Sequence, residues 1–338
     1  MSKKRFFIVV LLLCLIATTS LWAAGAKEVK KDDNKIVIGL SWNEKMHAMI
    51  QAWEDYMKSY SEEYGAENGL TFEWIVNVAD SDSSQQASNI EDLISMNVDV
   101  IIARPHDAGA IGASIRAAEE AGIPFITFDR PSATRKPTAH VGADSFMQAV
   151  NTANAMADLL ESKGIKGVAI ELMGDLRDVN AVKRSEGWAK VEKERGVWKT
   201  VIQVPTEWNP EKFRTGTANA LQANPTANVM FVASDFAFDA VKSALEAANR
   251  WALPGDPRHI WIATQDVNPQ AFEPMANGYI ALGETYDCYY HAVELVKVAA
   301  KVAQGIKLEK DEFLVSGRLA TTANVKDMEY MWARDYKD

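Results

Sequence analysis

VDVIIARPHD, Val98 to Asp107, opens with alternate β-branched residues and closes in a polar phrase, Arg104-Pro105-His106-Asp107. Apolar residues at consecutive positions from Val100 to Ala103 mean that both faces of the strand are buried. That happens when a parallel sheet is covered by helices on both sides. An Ala-rich stretch of helical period follows at 109–121, then IPFITFD, Ile123 to Asp129. The order recurs later as ANVMFVASD (227–235), an Ala-rich helix (236–249) and IWIATQD (260–266). Each half has a buried strand ending near an aspartate, a helix, and a second strand ending in Asp129 or Asp266. Two similar lobes produce this pattern.

Working outward, runs rich in Val and Ile alternate with segments of helical period. Strands are expected at 36–41, 70–77, 98–103, 124–128, 138–142, 167–172, 200–204, 228–232, 259–264 and 279–285. Helices are expected at 44–64, 84–96, 108–121, 145–162, 179–194, 210–222, 236–249, 268–276 and 287–304. The fold class is α/β, with two lobes that each hold a parallel sheet flanked by helices.

The N-terminus has a different character. Ser2-Lys3-Lys4-Arg5 is cationic, Phe6 to Ile16 is apolar, and Ala24-Gly25-Ala26 offers small residues for cleavage. This is the layout of a secretory signal over 1–26, cleaved after about Ala26, and its unbroken apolar run is shorter than the ~20 residues a bilayer core needs. Cys14 follows Leu13 rather than a small residue, so it reads as part of the discarded segment and not as a lipoprotein attachment point. Residues 27–35 are charged and read as a flexible leader. Removing 26 of the 338 residues leaves 312, which suits two domains. Removing three positive charges takes the net charge from −10 to −13, which argues against nucleic acid as a partner. Cys288 is then the one cysteine left, so no internal disulfide is expected. The predicted location is the periplasm.

Ligands of open parallel sheets sit beyond the carboxyl ends of the strands. The polar residues there are Ser41, Trp42 and Asn43; Arg104 and Asp107; Asp129 and Arg130; Trp208; Ser234 and Asp235; Gln265 and Asp266; Tyr286 and Asp287. Carboxylates accept from hydroxyl groups, and a guanidinium donates to them through a planar fork. A tryptophan face covers the C–H side of a sugar ring. Asp107 and Asp235 stand just before helices and read first as helix caps. Asp129 precedes Arg-Pro-Ser instead, which favours a ligand role. Trp208 fits core packing as well as stacking, and His47, on a helix beginning near Glu44, fits an ordinary surface position.

No glycine-rich dinucleotide loop, Walker loop, nucleophile elbow or H-E-x-x-H is present. The five histidines, 47, 106, 140, 259 and 291, have no metal-ligand spacing. No catalytic residue, metal or cofactor is expected, and the reading is of a binding protein rather than an enzyme.

KIVIGLS (35–41), ARPHD (103–107), AGIPFITFDR (121–130), HVGADSFMQA (140–149), KRSEGW (183–188), VPTEWNPEKF (204–213), VMFVASD (229–235) and GYIALGETYD (278–287) occur in that order. In them the chain resembles the periplasmic sugar-binding proteins of ABC importers, of the ribose/galactose type, over nearly its whole length past the signal. The resemblance implies a ligand cleft between lobes joined by a three-segment hinge near Ala143-Asp144, Tyr286-Asp287 and Ser316-Gly317. One lobe would comprise 36–143 plus 287–316, the other 144–286 plus 317–338. Asp129 and Arg130 would bind hydroxyls, Arg184 falls on a ligand-binding arginine, Trp208 on a stacking aromatic and Asp266 on a hydroxyl-binding aspartate. Ser41, Arg104, Ser234 and Tyr286 fall on further contact positions, with Trp42, Asn43 and His47 beside them. The implied function is capture of a sugar or polyol by hinge closure and delivery to an ABC permease, with the protein a monomer. A chemotaxis or signalling receptor for the same ligand class is the alternative.

The lining departs from the ribose-type pattern. Met46 and His47 stand where two aromatics are usual, Arg104 and Ser234 replace asparagines, Gln265 replaces an aromatic, and Tyr286 replaces an amide. Ribose itself is therefore not expected. Arg104, Arg130 and Arg184 with His47 suit a polyol or a ligand bearing a negative group.

Overall fold

A computed structural model of the chain describes residues 34–46 and 48–336. The expected signal segment, its cleavage point, Cys14, residues 27–33 of the leader and His47 lie outside the described residues. The last leader residue, Lys35, belongs to the first strand.

The chain runs β1 (Lys35–Trp42), α1 (Ala48–Asn68), β2 (Thr71–Val78), α2 (Ser83–Ser95), β3 (Val100–Ala103), α3 (Ile111–Glu120), β4 (Phe125–Phe128) and β5 (Ala139–Ala143). It continues as α4 (Ser145–Ser162), β6 (Gly167–Met173), α5 (Val179–Arg195), β7 (Trp198–Pro205), α6 (Pro210–Ala223) and β8 (Val229–Val232). Then come α7 (Phe238–Ala247), β9 (Trp261–Asp266), α8 (Pro269–Ala276) and β10 (Leu282–Thr285). It closes with α9 (Cys288–Ala303), β11 (Glu312–Val315), β12 (Leu319–Thr321), a 3-10 turn at Val325–Asp327 and α10 (Trp332–Asp335).

The strands form two six-stranded sheets, ordered β11-β5-β4-β3-β1-β2 and β12-β10-β9-β8-β6-β7. Position by position the two orders are the same, so the sequence repeat is a repeat of architecture. Neighbours pair in parallel, as in Ile38 opposite Val100 and Val229 opposite Trp261, whereas β12 lies antiparallel on β10. Every residue of β3, β4 and β8 is buried, which accounts for their apolar character on both faces. The edge strand β7 instead alternates, with Lys199, Val201 and Gln203 outward.

Each sheet is covered on both faces. Trp42, Trp53 and Phe128 pack with residues of α1 and α9 on one side of the first sheet, and Ile90, Leu93 and Ile115 lie on the other. Phe213, Phe238 and Met275 cover one side of the second sheet, and Trp188, Trp198 and Phe231 the other. Helices begin where short polar side chains supply acceptors for free N–H groups. Asp82 caps α2, Asp144 caps α4, Asp178 caps α5, and Asn209 caps α6 ahead of Pro210.

The chain passes from one sheet to the other after β5, after β10 and between β11 and β12. The second and third passages run side by side. Arg318 donates twice to Asp287, at 2.9 Å each, and its backbone N–H reaches Thr285 Oγ1 at 3.0 Å. At Gly317 an added Cβ would lie 2.4 Å from the Thr285 carbonyl oxygen and 2.7 Å from Glu284 Cγ. Only a residue without a side chain fits there. Gly317→Ala is expected to destabilise the protein by about 1–3 kcal/mol through overpacking. Urea unfolding checks this; an unchanged midpoint would show that the two passages are not packed against each other.

Candidate functional site

The equivalence of the two sheets places Asp129 and Asp266 in matched positions, with Arg104 and Ser234 one residue out of register beside them. Arg104 follows β3 and Ser234 follows β8; Asp129 follows β4 and Asp266 ends β9. In each half a residue just past the third strand, the first after β3 and the second after β8, bonds the aspartate of the fourth. Arg104 Nε donates to Asp129 Oδ2 at 2.5 Å, and Ser234 Oγ donates to Asp266 Oδ2. Both aspartates have left-handed backbones, with φ of 62° and 84°. Aspartate tolerates that region better than most residues, and Val267 beside it (φ 53°) does not. Backbone held this way is characteristic of sites whose surroundings impose the geometry.

Helix α5 starts at the same end of the second sheet. Asn180 and Arg184, four residues apart, share the face of the helix turned to the site. Arg184 forks onto Asp266 with bonds of 2.6 and 3.1 Å and also donates to the Ala233 carbonyl at 2.6 Å. Asn180 Nδ2 reaches the Asp129 carbonyl at 3.0 Å, across from the second sheet to the first. Asp178, the α5 cap, lies 3.1 Å from Arg130 Nε in an ion pair that also spans the two halves. It accepts from Trp208 Nε1 at 3.1 Å as well, which orients the indole. That ring lies over Gly174, where an added Cβ would come within 2.0 Å of it.

Arg104, Asp129, Arg130, Arg184, Trp208, Ser234, Asp266 and Tyr286 line one cleft. Eight of the twelve site residues named with the family resemblance thus come together. Asn43 stands behind them, accepting from Arg104 at 2.7 Å. Ser41 and Trp42 are not at the cleft. Ser41 is buried in β1 with its carbonyl bound to the Arg104 N–H. Trp42 is core, stacked on Trp53 and donating to Glu54 Oε2 at 3.0 Å. Gln265 is buried against Thr152. Asp107 accepts from the N–H groups of Gly109 and Ala110 in the turn that leads into α3. Asp235 does not cap α7 with its side chain. Its oxygens accept from the Asn268 N–H and Nδ2, at 2.7 and 2.8 Å, and from Thr264.

Asp178, Asn180, Phe236 and Asn268 also line the cleft, and the sequence reading does not mark them. Asp178 and Asn180 lie in the loop and first turn after β6, so the rule about strand ends applies to them as much as to Arg104. Phe236 directly follows Asp235, and Asn268 stands two residues after Asp266; the sequence does single out both aspartates.

The electrostatics follow from burial. Burial pushes the Asp129 carboxyl upward, but Arg104, Arg130 and the Tyr286 hydroxyl, which donates to Oδ1 at 2.5 Å, outweigh it and hold the group below the usual carboxylate range. The same network drives the Tyr286 hydroxyl well above its ordinary value, burial first and the Asp129 charge second. Each cleft arginine faces a carboxylate: Arg104 with Asp129, Arg130 with Asp178, Arg184 with Asp266. Glu44 adds a negative charge 3.7 Å from Arg104. Among the described residues the cleft has no surplus of positive charge, which removes the reason for expecting an anionic ligand.

A periplasmic binding protein domain model matches residues 38–307, and the chain belongs to that family. The chain is 30% identical to the ribose import binding protein of Bacillus subtilis (strain 168) over 51% of this chain and 53% of that protein. It is 26% identical to a D-apiose import binding protein of Actinobacillus succinogenes over 60% of this chain and 62% of that protein. These matches span between half and two thirds of the curated relatives. The structure superposes on an ABC transporter solute binding protein from Bacillus halodurans C-125 with bound myo-inositol, with a TM-score of 0.77 and 25% identity, covering 90% of this chain and 100% of that one.

Asp235 is fully buried, and burial, then the neighbouring Asp266, raises its carboxyl to about 7. A carboxyl raised in this way binds its proton more tightly in the folded protein than in the unfolded chain. Its contribution to stability is therefore complete below about pH 4 and is lost as pH rises toward 7. Asp235→Asn removes this dependence. The stability of the variant minus that of the wild type should rise between pH 4 and 7, with a slope of at most about 1.4 kcal/mol per pH unit, and level off above. Urea titrations of both proteins at pH 5 and pH 8 measure it; a difference independent of pH would contradict the assignment.

Proposed function

We propose that the protein is an exported solute-binding protein that captures a neutral sugar or polyol between its two lobes and presents it to an ABC permease. The observation that carries this reading is the cleft itself. Two matched aspartates, one from each lobe, converge on one space, with every guanidinium beside them already balanced by a carboxylate. Such a site offers directed donors and acceptors without net positive charge, which is what neutral hydroxyl groups require. Trp208 supplies a flat apolar face and Arg184 Nε has no hydrogen-bond partner among the described residues. The import names of the relatives, and the myo-inositol in the Bacillus halodurans protein, support this ligand class and favour uptake over a sensory role.

The lobes in this reading are 36–143 with 287–316, and 144–286 with 317–338, hinged at the three passages and exported by a signal removed after about Ala26. Binding is closure: the ligand stabilises the arrangement in which Arg130 meets Asp178 and Asn180 meets Asp129. The site acts as a receptor and not a catalyst. A glycosidic pair needs one carboxyl group as an acid, and both cleft aspartates are instead bound to guanidinium groups, Asp129 to Arg104 and Asp266 to Arg184. The protein works as a monomer.

Calorimetry against neutral pentoses, hexoses, myo-inositol and xylitol, with sugar acids beside them, tests the reading. At least one neutral compound is expected to bind and the acids are expected to bind weakly. Asp129→Asn and Trp208→Ala should each weaken that binding by about 1–3 kcal/mol, roughly ten- to hundredfold. Preference for the sugar acids, or an unaltered affinity in both variants, would overturn it.

A further inference from the structure

The segment after β12 has no part in the cleft, yet it touches both halves of the molecule. Met328, Met331 and Ala333 are buried in the core of the second sheet together with Val325. Trp332, between two of them, is fully buried in the core of the first sheet instead. Its Nε1 donates to the Tyr286 carbonyl at 2.9 Å. Tyr330, in a left-handed conformation (φ 50°), stacks on Tyr289 with ring centroids 4.0 Å apart and planes at 6°. Tyr336 meets Tyr56 of α1 edge-on at 5.6 Å. Arg318 donates to the Glu329 carbonyl at 2.8 Å while it holds Asp287.

Tyr286 lies on the passage between β10 and α9, and its hydroxyl is bound to Asp129. A continuous line of contact therefore runs from Trp332 through the Tyr286 backbone and ring to the aspartate in the cleft. We infer that Met328–Tyr336 is a strap across the hinge, a fourth tie between the lobes, and that Trp332 is a positioning residue that fixes Tyr286 and through it Asp129. The inference rests on the binding-protein reading for its functional meaning, but its test needs no ligand. Alternate burial of Met331, Trp332 and Ala333 in two different cores is a device for holding two bodies together. The lobes cannot separate without drawing Trp332 from one core or its neighbours from the other.

Amide hydrogen exchange on the full chain, without ligand, measures the effect where it should appear: in peptides covering 128–131 and 177–182, which face each other across the cleft. Trp332→Phe keeps the packing but removes the N–H donor, and should speed exchange in both peptides by about threefold. Trp332→Ala removes both and should speed it by about tenfold or more. Tyr330→Ala, which frees the strap from α9 without touching Tyr286, serves if Trp332→Ala fails to fold, and should act in the same direction. A merely structural tryptophan would give Trp332→Phe unaltered exchange in both peptides. That result, with unaltered exchange in Tyr330→Ala, would overturn the inference whether or not a sugar is later found to bind.

Discussion

The contact on which the site depends is the buried pair between Arg104 and Asp129, closed by the Tyr286 hydroxyl. A charge taken out of water is stable only if it is paired and its remaining hydrogen-bonding capacity is filled. Arg104 meets Asp129 from β3, Tyr286 meets it from the passage into α9, and Asn180 meets its backbone from α5. Asp129 thus joins three separate pieces of chain, two of them in different sheets or between them. Desolvation offsets much of a buried ion pair's attraction, but an unpaired buried charge is costly, so the pair favours the arrangement that satisfies both partners. Here the arrangement specified is the cleft.

The second half repeats the solution with different parts. Asp266 occupies the place of Asp129; Ser234, one residue past the equivalent of Arg104, bonds it; and the guanidinium comes from a helix, as Arg184. Two lobes of one architecture therefore present similar aspartates to one space while differing in the groups around them. That difference makes the cleft asymmetric, as a site must be to orient one solute. It also explains why three arginines do not make an anion site, since each stands beside a carboxylate partner.

Much of this is legible in the sequence, for identifiable reasons. Strands buried on both faces are apolar at consecutive positions, so β3, β4 and β8 are visible, and their ends mark Arg104, Asp129 and Ser234, as the end of β9 marks Asp266. Arg184 is reached only through the family resemblance, because nothing local distinguishes it from other helix arginines. Trp42 misleads because a polar-capable aromatic at a strand end looks like a ligand contact. Its actual partners, Trp53 and Glu54, come from the following helix. Asp235 has the position of a helix cap before α7, but its oxygens are taken by Asn268, 33 residues later. The short strands β11 and β12 and the helix around Trp332 have too few residues to show a period. Their placement depends on tertiary contacts that no local pattern carries.

The central claim is that one neutral solute is held by groups from both lobes and keeps them together. Small-angle scattering in the absence and presence of the neutral sugar or polyol that calorimetry identifies tests it most directly. The account predicts a smaller radius of gyration at saturation, with the change abolished in Asp266→Asn at a ligand concentration that saturates the wild type. A radius that does not respond to a saturating, tightly bound neutral ligand would contradict it.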